Sequence, residues 1–252
     1  MYWRLIPPLQ LNGELQMAID TWLFQQHIAG NHPPTLRFYT WSSPTISLGY
    51  HQKTYPPQWE NLQWQGQKIN LVRRPTGGRA VLHQGDLTYA VITSGLSSKR
   101  IEAYQQICKF LILGWQKFGI KLHYGQAGRG YIHNPNCFGT ATGADLVTEN
   151  GYKFIGSAQL RQGQNILQHG SMRINQSFEL YQQVFHPQAR ELIINHSINP
   201  VSIDQDLPTI IDTLQTTAAE YFQIKLEIQP FTPQEWQEIM KISGFNIDSL
   251  VL

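Results

Sequence analysis

Two cysteines, a lysine opening a strand-like run and three arginines around a Gly-Gly pair are the residues of this 252-residue chain whose types and settings could do chemistry. Cys137 sits in "HNPNCFGTATG", a Pro-, Asn- and Gly-rich stretch where no packing stripe claims it. A cysteine on a loop carried by a rigid scaffold is where a nucleophile stands, although the pattern alone equally allows an inert loop thiol. Cys108 differs: it falls on the apolar face of a helical repeat over residues 100 to 118 and reads as a buried structural thiol. A nucleophilic Cys137 would need to be a thiolate, and hence a nearby cation or base. Lys153, opening "KFIGSAQ", is one candidate; His133 and His169 are others. By pattern alone Lys153 is an exposed strand-end residue, and both histidines are hydrogen-bonding loop or surface groups.

The second stretch is "RRPTGGRAVLHQGDLTYAVI", residues 73 to 92, where Arg73, Arg74 and Arg79 surround Thr76, Gly77 and Gly78. It carries neither phosphate-binding fingerprint, and a strand-like run follows the glycines, so no helix N-terminus points into the turn. Two readings remain open. The pair is an ordinary tight turn, or its glycines admit another molecule to the backbone while the arginines hold an anionic or carbonyl-bearing group. The nine histidines show no metal-ligand spacing, and Asp86 and Asp145 lack a partner carboxylate of the glycosidase kind.

These residues must be positioned by alternating elements of both kinds. Residues 13 to 28 place Leu15, Ala18, Ile19, Trp22 and Leu23 on one helical face. "TLRFYTW" (35 to 41) and "TISLGY" (45 to 50) read as a hairpin or adjacent strands. Short strands flank the Gly-Gly turn, and residues 100 to 118 form an amphipathic helix. "KFIGSAQ" and "NILQHGSM" look like a strand pair joined by the polar "LRQGQ". Helices follow near 176 to 185 and 208 to 222, then a strand at 223 to 229. A last helix starts with Thr232 as N-cap, Pro233 and Glu235. The mixture lacks a βαβ rhythm and predicts an α+β fold with a mixed or antiparallel central sheet, residues 1 to 252 forming one domain.

Composition narrows the class. At 41% hydrophobic and 14% charged residues the chain reads as globular, and a net charge of +2 argues against nucleic acid. No apolar run spans a membrane and no secretory signal is visible. Two cysteines do not make a disulfide framework, so a reducing cytoplasm is expected.

Several blocks in order, "WRLI", "MAID", "PTISLGYHQ", "RRPTGGRAVLH" with "LTYAV", "CF", and "GYKFIGSAQLRQ" with "ILQHGS", together resemble the lipoate–biotin protein ligase and octanoyltransferase superfamily. The resemblance runs from about residue 3 to 175. It implies a medium-chain acyl pocket walled by Arg73, Arg74, Thr76, Gly77, Gly78, Arg79, His83, Gly156, Ser157 and Ala158, with Lys153 directed at the acyl carbonyl. Within the superfamily, ATP-dependent ligases usually have glycine where this chain has Arg79. Octanoyltransferases of the LipM type are similar to it in "TGGRAVLH" and in a "CF" loop ahead of the lysine block, the place Cys137 occupies. The LipB type carries its cysteine after that block, where this chain has none. This loop departs from the usual one at Ala141, Thr142 and Asp145, which stand for Pro, Ser and Glu.

What the resemblance implies is octanoyl transfer from octanoyl–acyl carrier protein to a lysine of a lipoyl-domain protein, such as the glycine cleavage H protein or a 2-oxoacid dehydrogenase E2. It would proceed through a Cys137 thioester assisted by Lys153, with no cofactor. The alternatives are an ATP- and Mg-dependent lipoate–protein ligase, and a non-catalytic protein that binds lipoyl domains or acyl carriers. A buried chain of about eight carbons, at ~0.8 kcal/mol per methylene, offers roughly 5 kcal/mol. That measures chain length without recognising a carrier, so Lys99, Arg100, Arg161 and Arg173 are candidates for meeting an acidic one.

Overall fold

The computed structural model describes residues 1–125, 143, 145–185 and 205–244. An eight-stranded mixed sheet forms its centre, in the order β13-β1-β2-β8-β12-β11-β10-β9. Its strands are β1 (Tyr2–Leu11), β2 (Thr35–Trp41), β8 (Asp86–Ser94), β9 (Leu122–Tyr124), β10 (Asp145–Thr148), β11 (Lys153–Gln162), β12 (Asn165–Arg173) and β13 (Lys225–Ile228). β1 runs parallel to β13 and β2, and every other pairing in this sheet is antiparallel. A second sheet places β3 (Thr45–Leu48) between β6 (Asn70–Arg73) and β7 (Val81–His83). A small ribbon pairs β4 (Gln63–Trp64) with β5 (Gln67–Lys68).

The two-residue period of the strands divides the core. On β2, β8 and β12, Phe38, Tyr89, Val91 and Ile166 face α2 (Arg100–Gln116) and α4 (Leu207–Phe222). Tyr39, Ala90, Ile92 and Leu167 alternate with them and face α1 (Gly13–Ile28) and α5 (Pro233–Ser243). A third cluster seats α3 (Phe178–Phe185) on the smaller sheet through Ile46, Leu82, Leu180 and Phe185. Thr232 and Glu235 form the expected capping box, and Glu235 also takes both arms of the buried Arg4 guanidinium at 2.7 and 3.0 Å, fixing α5 to β1.

The α+β expectation holds, with three local differences. β2 and β3 are not a hairpin, because the Ser42–Pro44 break carries the chain from one sheet into the other. "LRQGQ" is mostly strand, since β11 runs on to Gln162 and only residues 163 and 164 turn. β1 has no counterpart in the sequence reading: Pro7-Pro8 interrupts its pattern, and the register with β2 shifts between Ile6 and Leu9 where those prolines fall.

One polar cluster crosses the apolar layer under α1. Asp20 is wholly buried and accepts from Arg37 Nη1 at 3.1 Å and from the Tyr39 hydroxyl at 3.0 Å, while Arg37 also donates to Gln16. Removing one partner of such a buried pair leaves the other charge uncompensated, at a cost of about 3–5 kcal/mol. Arg37→Met is therefore expected to lower the free energy of urea unfolding by about that amount, whereas a surface change such as Lys225→Met leaves the midpoint nearly unmoved.

Candidate active site

The Gly-Gly turn between β6 and β7 is held from beneath by the two arginines that precede it. Arg74 is buried and donates to the carbonyls of Ser47, Gly77 and Arg79 at 2.7, 2.8 and 2.7 Å. Arg73 Nη1 donates to the carbonyls of Gly49 and Gln52 at 2.8 Å each. Arg74 thus fastens the turn to β3, and Arg73 ties the strand before it to the segment that follows β3. Gly78 has φ of 93°, open to glycine and strained for other residues. A Cβ on Gly49 would overlap the Gly78 carbonyl, so backbone meets backbone there.

Two buried histidines complete this wall. His169 on β12 places Nδ1 2.7 Å from Asp20 Oδ2 and Nε2 2.6 Å from the Thr76 hydroxyl. The carboxylate only accepts, so Nδ1 carries the hydrogen. His83 repeats the arrangement: Nδ1 is 2.8 Å from Asp86 Oδ2, Nε2 is 2.8 Å from Ser47 Oγ, and the ring stacks on Trp41 with centroids 3.8 Å apart. His169 is thus a buried link between a helix and the turn, where the sequence suggested a surface or loop residue.

Opposite the turn, Lys153 and Asp145 form a salt bridge of 3.0 Å with side chains 5% and 3% exposed. An exposed strand-end lysine, the reading pattern alone favoured, is excluded by this burial. A register irregularity between Leu146 and Val147 lies where β10 meets the start of β11 and accompanies the pairing. The amide of Gly125 donates to the Asp145 carbonyl at 2.8 Å, beside the ion pair.

Between turn and ion pair lies a cavity of about 240 Å³. Of the expected wall residues, Arg74, Gly77, Gly78, His83, Lys153, Gly156, Ser157 and Ala158 line it; Arg73, Thr76 and Arg79 do not. Met17, Tyr39, Trp41 and Val81 give it an apolar side. Cys137 and His133 lie outside the described residues. Cys108 is buried as expected, and burial pushes its thiol up to about 11. Asp20, Asp145, Tyr104 and Gln159 belong to the site or its support without having been singled out for it. Among them Asp20 left a trace, as a carboxylate inside the apolar "MAID" face of α1. Among the described residues no group of His, Cys, Asp or Glu could hold a metal ion, and no helix is long and apolar enough to cross a membrane.

Burial holds the His83 imidazole below its ordinary pKa, and the Asp86 carboxylate opposes that shift without reversing it. The folded protein thus binds this proton less readily than the unfolded chain, whose histidines titrate near about 6.5. The corresponding stability is complete above that pH and is lost as pH falls through the folded value. Urea midpoints are expected to decline below about pH 6.5, and to decline less steeply in His83→Gln.

Residues 12–237 match the family described as the lipoyl protein ligase A/B catalytic domain. Octanoyltransferase LipM of Carboxydothermus hydrogenoformans is 40% identical over 176 residues, 68% of this chain and 65% of that protein. The chain thus spans just under two thirds of that relative's length. Octanoyltransferase LipM of Oceanobacillus iheyensis is 30% identical, with 97% of this chain and 94% of that protein aligned. In fold, the chain resembles a putative lipoate protein ligase from T. acidophilum with bound lipoic acid (TM-score 0.75, 18% identity, 97% and 95% of the two chains). It also resembles lipoate-protein ligase A bound with ATP (TM-score 0.74, 20% identity, 99% and 97%). With the cavity, the fastened Gly-Gly turn and the lysine opening β11, these matches show that the chain belongs to the lipoyl protein ligase A/B catalytic-domain family.

Proposed function

We propose that this protein is an octanoyltransferase of lipoate biosynthesis, moving an octanoyl group from octanoyl–acyl carrier protein to a lysine of a lipoyl-domain protein. The observation that carries the reading is the buried Lys153, held by Asp145 at the wall of a cavity with an apolar side, in a chain 30–40% identical to proteins named octanoyltransferase. Cys137 is the nucleophile. The described residues Gly125 and Asp145, one on either side of it in the sequence, are bonded backbone to backbone beside Lys153.

In the first step the Cys137 thiolate attacks the thioester carbonyl. The tetrahedral oxyanion collapses, the carrier's thiolate leaves and takes a proton from solvent, and the octanoyl group stays on the Cys137 sulfur. In the second step the acceptor lysine, as free amine, attacks that carbonyl. The Cys137 thiolate leaves, a proton departs from nitrogen, and the amide remains. Together the two easier steps replace one hard transfer. The Lys153 ammonium stabilises the thiolate and donates to both oxyanions, and Asp145 holds it without reorganisation. Tyr39, Trp41, Met17 and Val81 receive the alkyl chain.

At the cavity wall Arg100 is exposed, and Arg161 donates to the carbonyls of Ser97 and Ser98 nearby, which suits an acidic carrier. Lys99 is paired with Glu102 at 2.8 Å. Arg173 is set aside: its guanidinium lies over the rings of Tyr152 and Tyr181 at 4.8 and 5.0 Å, a packing role.

Incubation with octanoyl–acyl carrier protein, without ATP, is expected to give an octanoyl adduct in the intact-mass spectrum of the parent protein and none in Cys137→Ser. Lys153→Met is expected to lower the transfer rate by roughly 10²–10³. Acceptor modification that depends on ATP and survives Cys137→Ser would refute the transferase and favour a ligase.

A further inference from the structure

One polar atom in the cavity wall has no task in the transfer just described. Gln159 stands two residues after Ser157 on β11, so both side chains leave the same face of the strand, and both residues line the cavity. Gln159 is 8% exposed. Its Nε2 donates to Gln168 Oε1 at 2.7 Å, while its Oε1, also buried, accepts no hydrogen bond from the described residues. Buried acceptors without donors are rare in folded proteins because they are costly, and such an atom in a ligand cavity marks where a ligand donor goes.

A hydrogen-bonded chain runs behind Gln159. Gln168, which accepts from Gln159, donates through Nε2 to the Tyr89 hydroxyl at 2.7 Å and reaches Cys108 Sγ at 3.2 Å. Burial keeps the Tyr89 phenol far above its ordinary pKa, and therefore protonated. The Tyr89 hydroxyl also lies 2.8 Å from Ser157 Oγ, a pair in which either hydroxyl can donate. The Tyr104 hydroxyl donates to the Ser157 carbonyl at 3.0 Å and fixes the strand there. The uncharged chain thus ends at the cavity in the Gln159 acceptor, with the Ser157 hydroxyl beside it.

We propose that Gln159 Oε1 accepts a hydrogen bond from a substrate N–H in this cavity. The inference rests on the reading of the cavity as an octanoyl site and adds the recognition of nitrogen to that of the alkyl chain. Two groups carry such an N–H: the amide of the carrier's thioester arm, and the nitrogen of the acceptor lysine.

Matched ligands separate these sources. In a Cys137→Ala background, which holds thioesters without turnover, calorimetry compares S-octanoyl-N-acetylcysteamine with its N-methylated amide. It then compares N-butyloctanamide with N-butyl-N-methyloctanamide. In one pair the N–H ligand is expected to bind roughly tenfold more tightly, as one hydrogen bond would give. A preference in the cysteamine pair assigns the contact to the carrier arm; one in the butylamide pair assigns it to the acceptor. Added Gln159→Met abolishes the preference, and Gln168→Met, which removes the anchor behind Gln159, weakens it. Methyl octanoate, which has no N–H, binds alike to all the variants and reports an intact cavity. Equal affinities within both pairs, or a preference that survives Gln159→Met, would overturn the proposal and leave the octanoyl site standing. Failure of every octanoyl compound to bind would overturn both.

Discussion

The carboxylate of Asp20 is the constraint on which the site depends. It is wholly buried under α1 and accepts from Arg37, Tyr39 and His169, which come from β2 and β12. A carboxylate out of water must have its lone pairs filled, so the helix, the two strands and the ring of His169 have little freedom to move separately. Through His169 the same carboxylate reaches Thr76 and so sets the Gly77–Gly78 turn. The wall of the cavity is therefore positioned from the middle of the protein rather than from its rim.

The same solution appears twice more around the cavity. Asp86 holds His83 and takes the hydroxyls of Thr88 and Ser171, while Asp145 holds Lys153. Each carboxylate compensates a donor that would otherwise swing or be lost to water, and each sits on a different strand from at least one of its partners. A hydrophobic wall alone would bind an alkyl chain well but would not orient the reacting carbonyl. These networks hold the polar part of the wall, and buried networks favour one arrangement because unpairing their members is expensive.

Much of this was legible one element at a time. The 3.6-residue repeats gave α1 and α2 within two residues, and Thr232, Pro233 and Glu235 gave the start of α5, because such signals lie within one turn of chain. What failed was non-local. β1 carries Pro7-Pro8 and is held between β2 and β13, which lies more than two hundred residues away, so its own pattern does not announce it. Whether β2 and β3 share a sheet depends on the direction the chain takes at Pro44. Lys153 looked exposed because its partner belongs to another strand, and His169 looked idle because Asp20 and Thr76 approach it from distant segments. Pattern named the residue types of the site; the pairings that give them roles are tertiary.

β11 shows why those pairings matter for chemistry. Its first residue is Lys153, next to the carboxyl of Asp145, and two turns of its pleat later it presents Ser157 and Gln159 to the same cavity. A strand rises about 3.3 Å per residue, so a charged group and a neutral acceptor six residues apart stand roughly 20 Å apart along the backbone. Only the reach of the lysine side chain and the shape of the cavity bring them toward one ligand. The charged end suits a carbonyl that becomes an oxyanion, and the neutral end suits an N–H that stays uncharged. Placing both on one rigid, doubly paired strand keeps their spacing fixed, which a site assembled from loops alone would not guarantee.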